Sequence, residues 1–297
     1  MRSARILLLA GVLLLAAACS AVQFGYGQLD RIIFWYVDDY LPLSPEQGAA
    51  LKPRIVRLVQ WHCSTQLPAY TAWLRAVQSD LLAGARPERL DRRADEAVGF
   101  LREIGGALAP DAARLLAQAT PQQVAAMFEA MDKRSREYRE EWVDVSPRDI
   151  ARKRDKRMRA RIEAWVGPLN APQERALERW SSSLEPTGAS FLESRQRWQA
   201  ALRKALERSG DPAAFGEEIR TLFVRPDTIW SPDYLRVAQA NRLRTMALLA
   251  ALAASLDEAQ RRHLELEVSA TAGDFDKLAC AGGAPRLGSI PEALAWR

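Results

Sequence analysis

Histidine is almost missing from this chain: of 297 residues, two are His, at 62 and 263. A histidine-based metal site would have to borrow carboxylates. The segment HLELE (263–267) supplies two, and Glu265 and Glu267 read as pointing to other sides of a helix than His263. No metal site is expected. Cysteine is also scarce, at three: Cys19, Cys63 and Cys280. In WHC (61–63) the His and Cys are adjacent, and adjacent residues on a helix do not face each other, which disfavours a Cys–His nucleophile. There is no G-x-G-x-x-G (GYGQLD lacks the third Gly), no P-loop, no G-x-S-x-G and no H-E-x-x-H. The carboxylate pairs Asp38–Asp39, Glu140–Glu141 and Glu217–Glu218 are neighbours in sequence, whereas an acid–base dyad needs two groups converging on one substrate. Glycine is sparse, and no run of alternating β-branched residues is present. These absences exclude a sheet-based fold and leave no catalytic constellation, so a non-catalytic protein is expected. A net charge of +5 is mild for the length and argues against nucleic acid as a partner.

What is present begins at the N-terminus. Arg2 and Arg5 precede an uncharged apolar run, Ile6 to Ala18, too short at about 1.5 Å per residue to cross a bilayer core of about 30 Å. It has the form of a secretory signal. The small residues AAA (16–18) end on Cys19, and this resembles a bacterial lipobox, with Ala16 where Leu is preferred. The resemblance implies acyl chains on Cys19. With Ser20 next, it also implies a place on the periplasmic face of the outer membrane; the alternative is ordinary cleavage near Ala18. No cofactor beyond that covalent lipid is expected. In an oxidising compartment the remaining pair, Cys63 and Cys280, would form either a disulfide or two buried thiols.

The rest reads as all-α, an irregular multi-helix bundle or one of two helical halves. Apolar residues recur at helical spacing in 28–41, 67–84, 190–210 and 232–256, and Gly84 stands where a helix C-cap would be. Four segments carry an N-cap residue with Gln three positions on: Ser44–Gln47, Thr120–Gln123, Asn170–Gln173 and Asp257–Gln260. Each matches a capping box. Their separations of 76, 50 and 87 residues show no fixed repeat. The basic stretch 148–165 is expected to be a solvated helix face, with contact to anionic headgroups as the alternative. The expected division is a signal peptide (1–18), an N-terminal helical region (19–166), a C-terminal region packed on it (167–280) and a loose tail (281–297).

Polar aromatics and acids are densest near the mature N-terminus. Trp35, Tyr36, Asp38, Asp39, Tyr40, Trp61, His62 and Tyr70 are the candidates for contact with a ligand or partner. The motif L-[ST]-x-x-Q resembles that of small Spy-type periplasmic chaperones, which implies a chaperone-like holder as a second function. A hydrolase acting on an envelope polymer through His62 and nearby acids is the third.

Several segments in combination carry a wider resemblance. They are CSAVQFGYGQLDRIIFWYVDDYLPLSPEQ, WHCSTQLPAY, SPDYLRVAQANR and LDEAQRRHLELEVSATAGDFDKLA. Together they resemble an uncharacterised lipoprotein family of Gram-negative bacteria, known as a domain of unknown function. The resemblance implies a helical outer-membrane lipoprotein and supplies no activity. Some relatives have a basic residue after Trp-His, where this chain has Cys63; with Cys280 after DFDKLA, that departure favours the bridge. The expected partners are the membrane, through the anchor, and an envelope protein or polymer.

Overall fold

The computed structural model describes residues 25–280, and within them all regular structure is helical. The helices are α1 (Leu29–Tyr40), α2 (Pro45–Trp61), α3 (Leu67–Leu82), α4 (Pro87–Ala117), α5 (Pro121–Trp142) and α6 (Pro147–Val166). They continue with α7 (Ala171–Ser183), α8 (Gly188–Leu206), α9 (Pro212–Val224), α10 (Pro232–Ala254) and α11 (Glu258–Leu278). A π turn, His62–Gln66, joins α2 to α3. The all-α expectation is met. Most helices open with proline in the first turn, where its missing N–H costs nothing. Gly84 closes α3 with φ of +69°, a backbone state that glycine enters without strain. Cys19 and the expected tail lie outside the described residues.

The four capping boxes form as expected, and the fold then joins them in two pairs. Ser44, Thr120, Asn170 and Asp257 each accept a backbone N–H from the Gln three residues on. In return each Gln accepts the cap residue's N–H on Oε1, at 2.9, 2.9, 3.0 and 3.3 Å. The Nε2 donors go elsewhere. Gln47 and Gln123 donate to each other's Oε1, and Gln173 and Gln260 do the same at 2.8 Å each way. Each amide also donates to a carbonyl five residues ahead of its partner glutamine. Gln123 reaches Pro42 O and Gln47 reaches Gln118 O; Gln260 reaches Pro168 O and Gln173 reaches Ser255 O. Both clasps therefore share one wiring. It explains Gln rather than Glu at these positions, because only an amide both accepts and donates.

Two large cores result, and neither coincides with one half of the sequence. One joins Ala109, Leu116, Phe128, Leu202, Phe215 and Ile219, from α4, α5, α8 and α9. The other joins Leu74, Ile162, Leu177, Leu252, Leu264 and Val268, from α3, α6, α7, α10 and α11. The expected boundary at 166/167 falls between α6 and α7, which serve the same core. A smaller cluster, Leu51, Ile55 and Val59, faces α1. Helices α4 and α9 cross in close contact. A Cβ on Gly105 would sit 2.4 Å from Phe223 O, so this approach requires glycine.

Candidate functional site

Helix α1 has the apolar periodicity expected of it, yet no residue of it is buried. The reason is geometric. Leu29, Ile33 and Val37 rest against the Leu51–Ile55–Val59 cluster of α2, and with Ile32, Tyr36 and Tyr40 they line a cavity of about 830 Å³ that leaves the face incompletely covered. The opposite walls are Leu51, Ile55 and Leu58 of α2, Ile104, Leu108 and Ala112 of α4, Met127 and Met131 of α5, and Trp198 of α8. This volume lies within the roughly 300–1,000 Å³ of ligand pockets, and the lining has their composition, apolar with few polar groups.

The candidates drawn from the sequence divide. Tyr36, Tyr40, Trp61 and His62 lie together on the cavity wall. Tyr36 and Tyr40 pack with ring centroids 5.1 Å apart, and their mutual hydrogen bond, with burial, raises the Tyr36 phenol pKa. Trp35 is turned outward, 68 % exposed. Asp38 accepts the Leu43 N–H at 2.9 Å and shapes the turn into α2. Asp39 pairs with Arg134 at 3.3 Å on the surface. Tyr70 lies beyond His62 and packs edge-on against Phe100.

His62 is held between two phenols. Tyr26 Oη is 2.8 Å from Nδ1 and Tyr70 Oη is 3.4 Å from Nε2. Burial lowers the imidazole pKa and favours the neutral ring. Burial, then the Tyr70 phenol, pushes Tyr26 up to about 12. Among the described residues no carboxylate is hydrogen-bonded to His62, and Asp39 pairs with Arg134.

The π turn that positions His62 also carries Cys63, which is fully buried and bonded to Cys280 with Cα atoms 5.2 Å apart. A π turn re-aims the helical face that follows it, and such turns recur at functional sites. The bridge ties the end of α11 to the π turn beside His62, and Cys280 N–H donates to Cys63 O at 3.3 Å.

One feature differs from the sequence expectation. Glu267, four residues beyond His263, shares its helix face, with Oε1 3.9 Å from Nε2; only Glu265 points away. That contact is a single exposed one, and no group of three metal-ligating residues occurs among the described residues. The basic stretch 148–165 does present a largely solvated face: Ile162 is buried on its apolar side, the basic side chains stay partly or fully exposed, Arg159 pairs with Glu174 and Asp155, and Lys153 and Arg157 cover Trp142.

Sequence reasoning missed Arg195. It is half-buried on the cavity wall, and its charge offsets a small part of the rise in the phenol pKa of Tyr36 and Tyr138, whose main causes are the Tyr40 hydrogen bond and burial respectively. A signal was available, because Arg195 falls at i+4 from Phe191 and i−3 from Trp198, on the face recognised as apolar.

A protein-family model, a family of unknown function designated DUF6279, matches residues 39–235, and the chain belongs to that family. Neither a curated protein nor a solved structure matches the chain. No described helix is long and apolar enough to cross a membrane.

Proposed function

We propose that this chain is a non-catalytic binding protein of the bacterial envelope, tethered to the outer membrane by acyl chains on Cys19, and that it takes an apolar ligand into the cavity beside α1. The observation that carries this reading is α1 itself. An amphipathic helix normally earns its stability by burying its apolar face. Here Leu29, Ile33 and Val37 rest on α2, but the part of the face toward the cavity stays uncovered, with Ile32 and Tyr36 50 % and 57 % exposed. An occupant would complete the burial. The Cys63–Cys280 bridge fits an oxidising compartment. Leu29 follows Cys19 by ten residues, at most about 35 Å of extended chain, so the cavity would lie close to the lipid surface.

The test uses the full chain with Cys19→Ser and the uncharged dye N-phenyl-1-naphthylamine. Enhanced fluorescence with one dye per chain, abolished by Ala112→Trp, which fills the cavity, supports the reading. No enhancement, or enhancement that survives Ala112→Trp, overturns it. The anchor is tested apart, by mass spectrometry of the wild-type N-terminus; an unmodified Cys19 removes the tether.

A second reading is a chaperone-type holder, favoured by the four capping motifs and by apolar side chains open to solvent at α1. Light scattering of an unfolding client decides it. Aggregation unchanged at equimolar ratio excludes a holder.

A further inference from the structure

We propose that the occupant of this cavity is a long-chain fatty acid, with its chain along α1 and its carboxylate held by Arg195. The inference rests on the apolar-binding reading above and names the ligand class.

The charges on the lining select this ligand. Arg54 and Asp111 also face the cavity, but they satisfy each other at 2.6 Å. Arg195 is different. Among the described residues no carboxylate lies within ion-pair reach of it, and no hydrogen-bond acceptor meets its guanidinium. The nearest acid on its own helix turn, Glu193, is taken by Arg197 at 2.8 Å. A half-buried guanidinium without an anion is poorly compensated, and its planar fork matches a carboxylate in two-point contact. Tyr36 shares the cavity wall with Arg195 and lies within the reach of its field, so its hydroxyl is the polar group placed nearest to such a carboxylate.

The rest of the cavity is suited to hydrocarbon. Ile32, Ile33, Leu108 and Leu115 contribute no polar atoms, and Met127 and Met131 adapt to a flexible chain. A sugar polymer would leave its hydroxyls unsatisfied there. A cationic amphiphile would meet Arg195 with like charge. One unbranched chain with one negative end satisfies both the wall and the cation.

The experiment titrates the full chain carrying Cys19→Ser with cis-parinarate, a fluorescent 18-carbon fatty acid, and displaces it with palmitate or with 1-hexadecanol, which has the same chain and no charge. Palmitate should displace one parinarate per chain, with hexadecanol about tenfold weaker, as expected for losing one charge-assisted contact. Arg195→Gln should weaken palmitate about tenfold and leave hexadecanol unchanged. Arg195→Lys should restore part of the loss, and Arg197→Gln should bind as the parent does. Circular dichroism verifies that each variant is folded; should Arg195→Gln not fold, the palmitate-to-hexadecanol ratio decides alone. Equal affinity for palmitate and hexadecanol overturns the proposal while leaving an apolar cavity. Extraction of phosphatidylglycerol from vesicles with no displacement by palmitate likewise overturns it in favour of a diacyl lipid. Binding of the neutral dye but not parinarate removes the fatty acid alone, whereas binding of neither removes the cavity reading as well.

Discussion

The two glutamine clasps are wired alike and sit over unlike interiors. In the second, Gln173 and Gln260 are 0 % and 4 % exposed, and the helices they start close on a filled core in which Leu177 is wholly inaccessible. In the first, Gln47 and Gln123 are half-buried, and the helices they start diverge around about 830 Å³ of open space. The same local device thus sets how two helix starts meet without dictating how tightly the helices pack beyond them. Holding apolar walls apart forfeits dispersion contacts and burial. The compensation lies outside the hollow, in the clasp, in the close α4–α9 crossing at Gly105 and in the Cys63–Cys280 bridge.

The comparison can be broken most decisively by exchanging side-chain volume between the two interiors. Leu177→Ala should cost about 3 kcal/mol, the usual range for a buried leucine, whereas Leu108→Ala on the cavity wall should cost about 1 kcal/mol. Overpacking should show the reverse asymmetry. Ala176→Phe in the filled core should destabilise by about 2 kcal/mol, and Ala112→Phe should be neutral or stabilising. Urea unfolding midpoints measure both pairs. Equal costs on the two sides would mean that the cavity closes in solution.

A smaller effect is expected at the clasps. Gln173→Glu removes both amide donors from a buried site and sets a carboxylate against Gln260 Oε1, so about 2 kcal/mol should be lost. Gln47→Glu makes the same change where water can compensate, and about 1 kcal/mol is expected. Thermal melts at neutral pH would order the two. A Gln47 variant as damaging as the Gln173 variant would show that the first clasp is buried after all.

The clasps also show where sequence legibility stops. A capping box is local, so Ser44, Thr120, Asn170 and Asp257 could be read directly, as could the helices they start. Their pairing is long-range: 44 joins 120 and 170 joins 257, while the nearest neighbours in sequence, 120 and 170, do not meet. Nothing in periodicity encodes that choice. Likewise the apolar face of α1 was legible from Leu29 to Val37, but such a face reads the same whether it meets side chains or a void. Tyr36, Tyr40, Trp61 and His62 were found because polar aromatics cluster there. Asp38 and Asp39 were grouped with them by adjacency alone, and the fold uses one as a turn acceptor and the other in a surface pair. The two cores were hidden for a related reason. Helix α3 packs into the later core and α8 and α9 into the earlier one, so no cut in the sequence separates them.

The smallest expected effect concerns pH and the hollow side alone. His62 has a folded-state pKa lowered from 6.5 by burial. Below pH 6.5 the unfolded chain therefore binds a proton that the folded chain resists, and stability falls as pH drops through the window down to the folded pKa. Above pH 6.5 both states are neutral there and the contribution is constant. Other groups titrate in the same range, so the informative quantity is the difference between wild type and His62→Gln, which retains polarity and cannot protonate. Wild type should lose more stability than the variant between pH 7.5 and pH 5, read as the shift in urea midpoint at each pH. A fatty acid bound beside this residue should enlarge the difference, because a ligand that fills the cavity removes the water that would solvate an imidazolium. Parallel curves with and without palmitate would place His62 in contact with bulk water and separate it from the site.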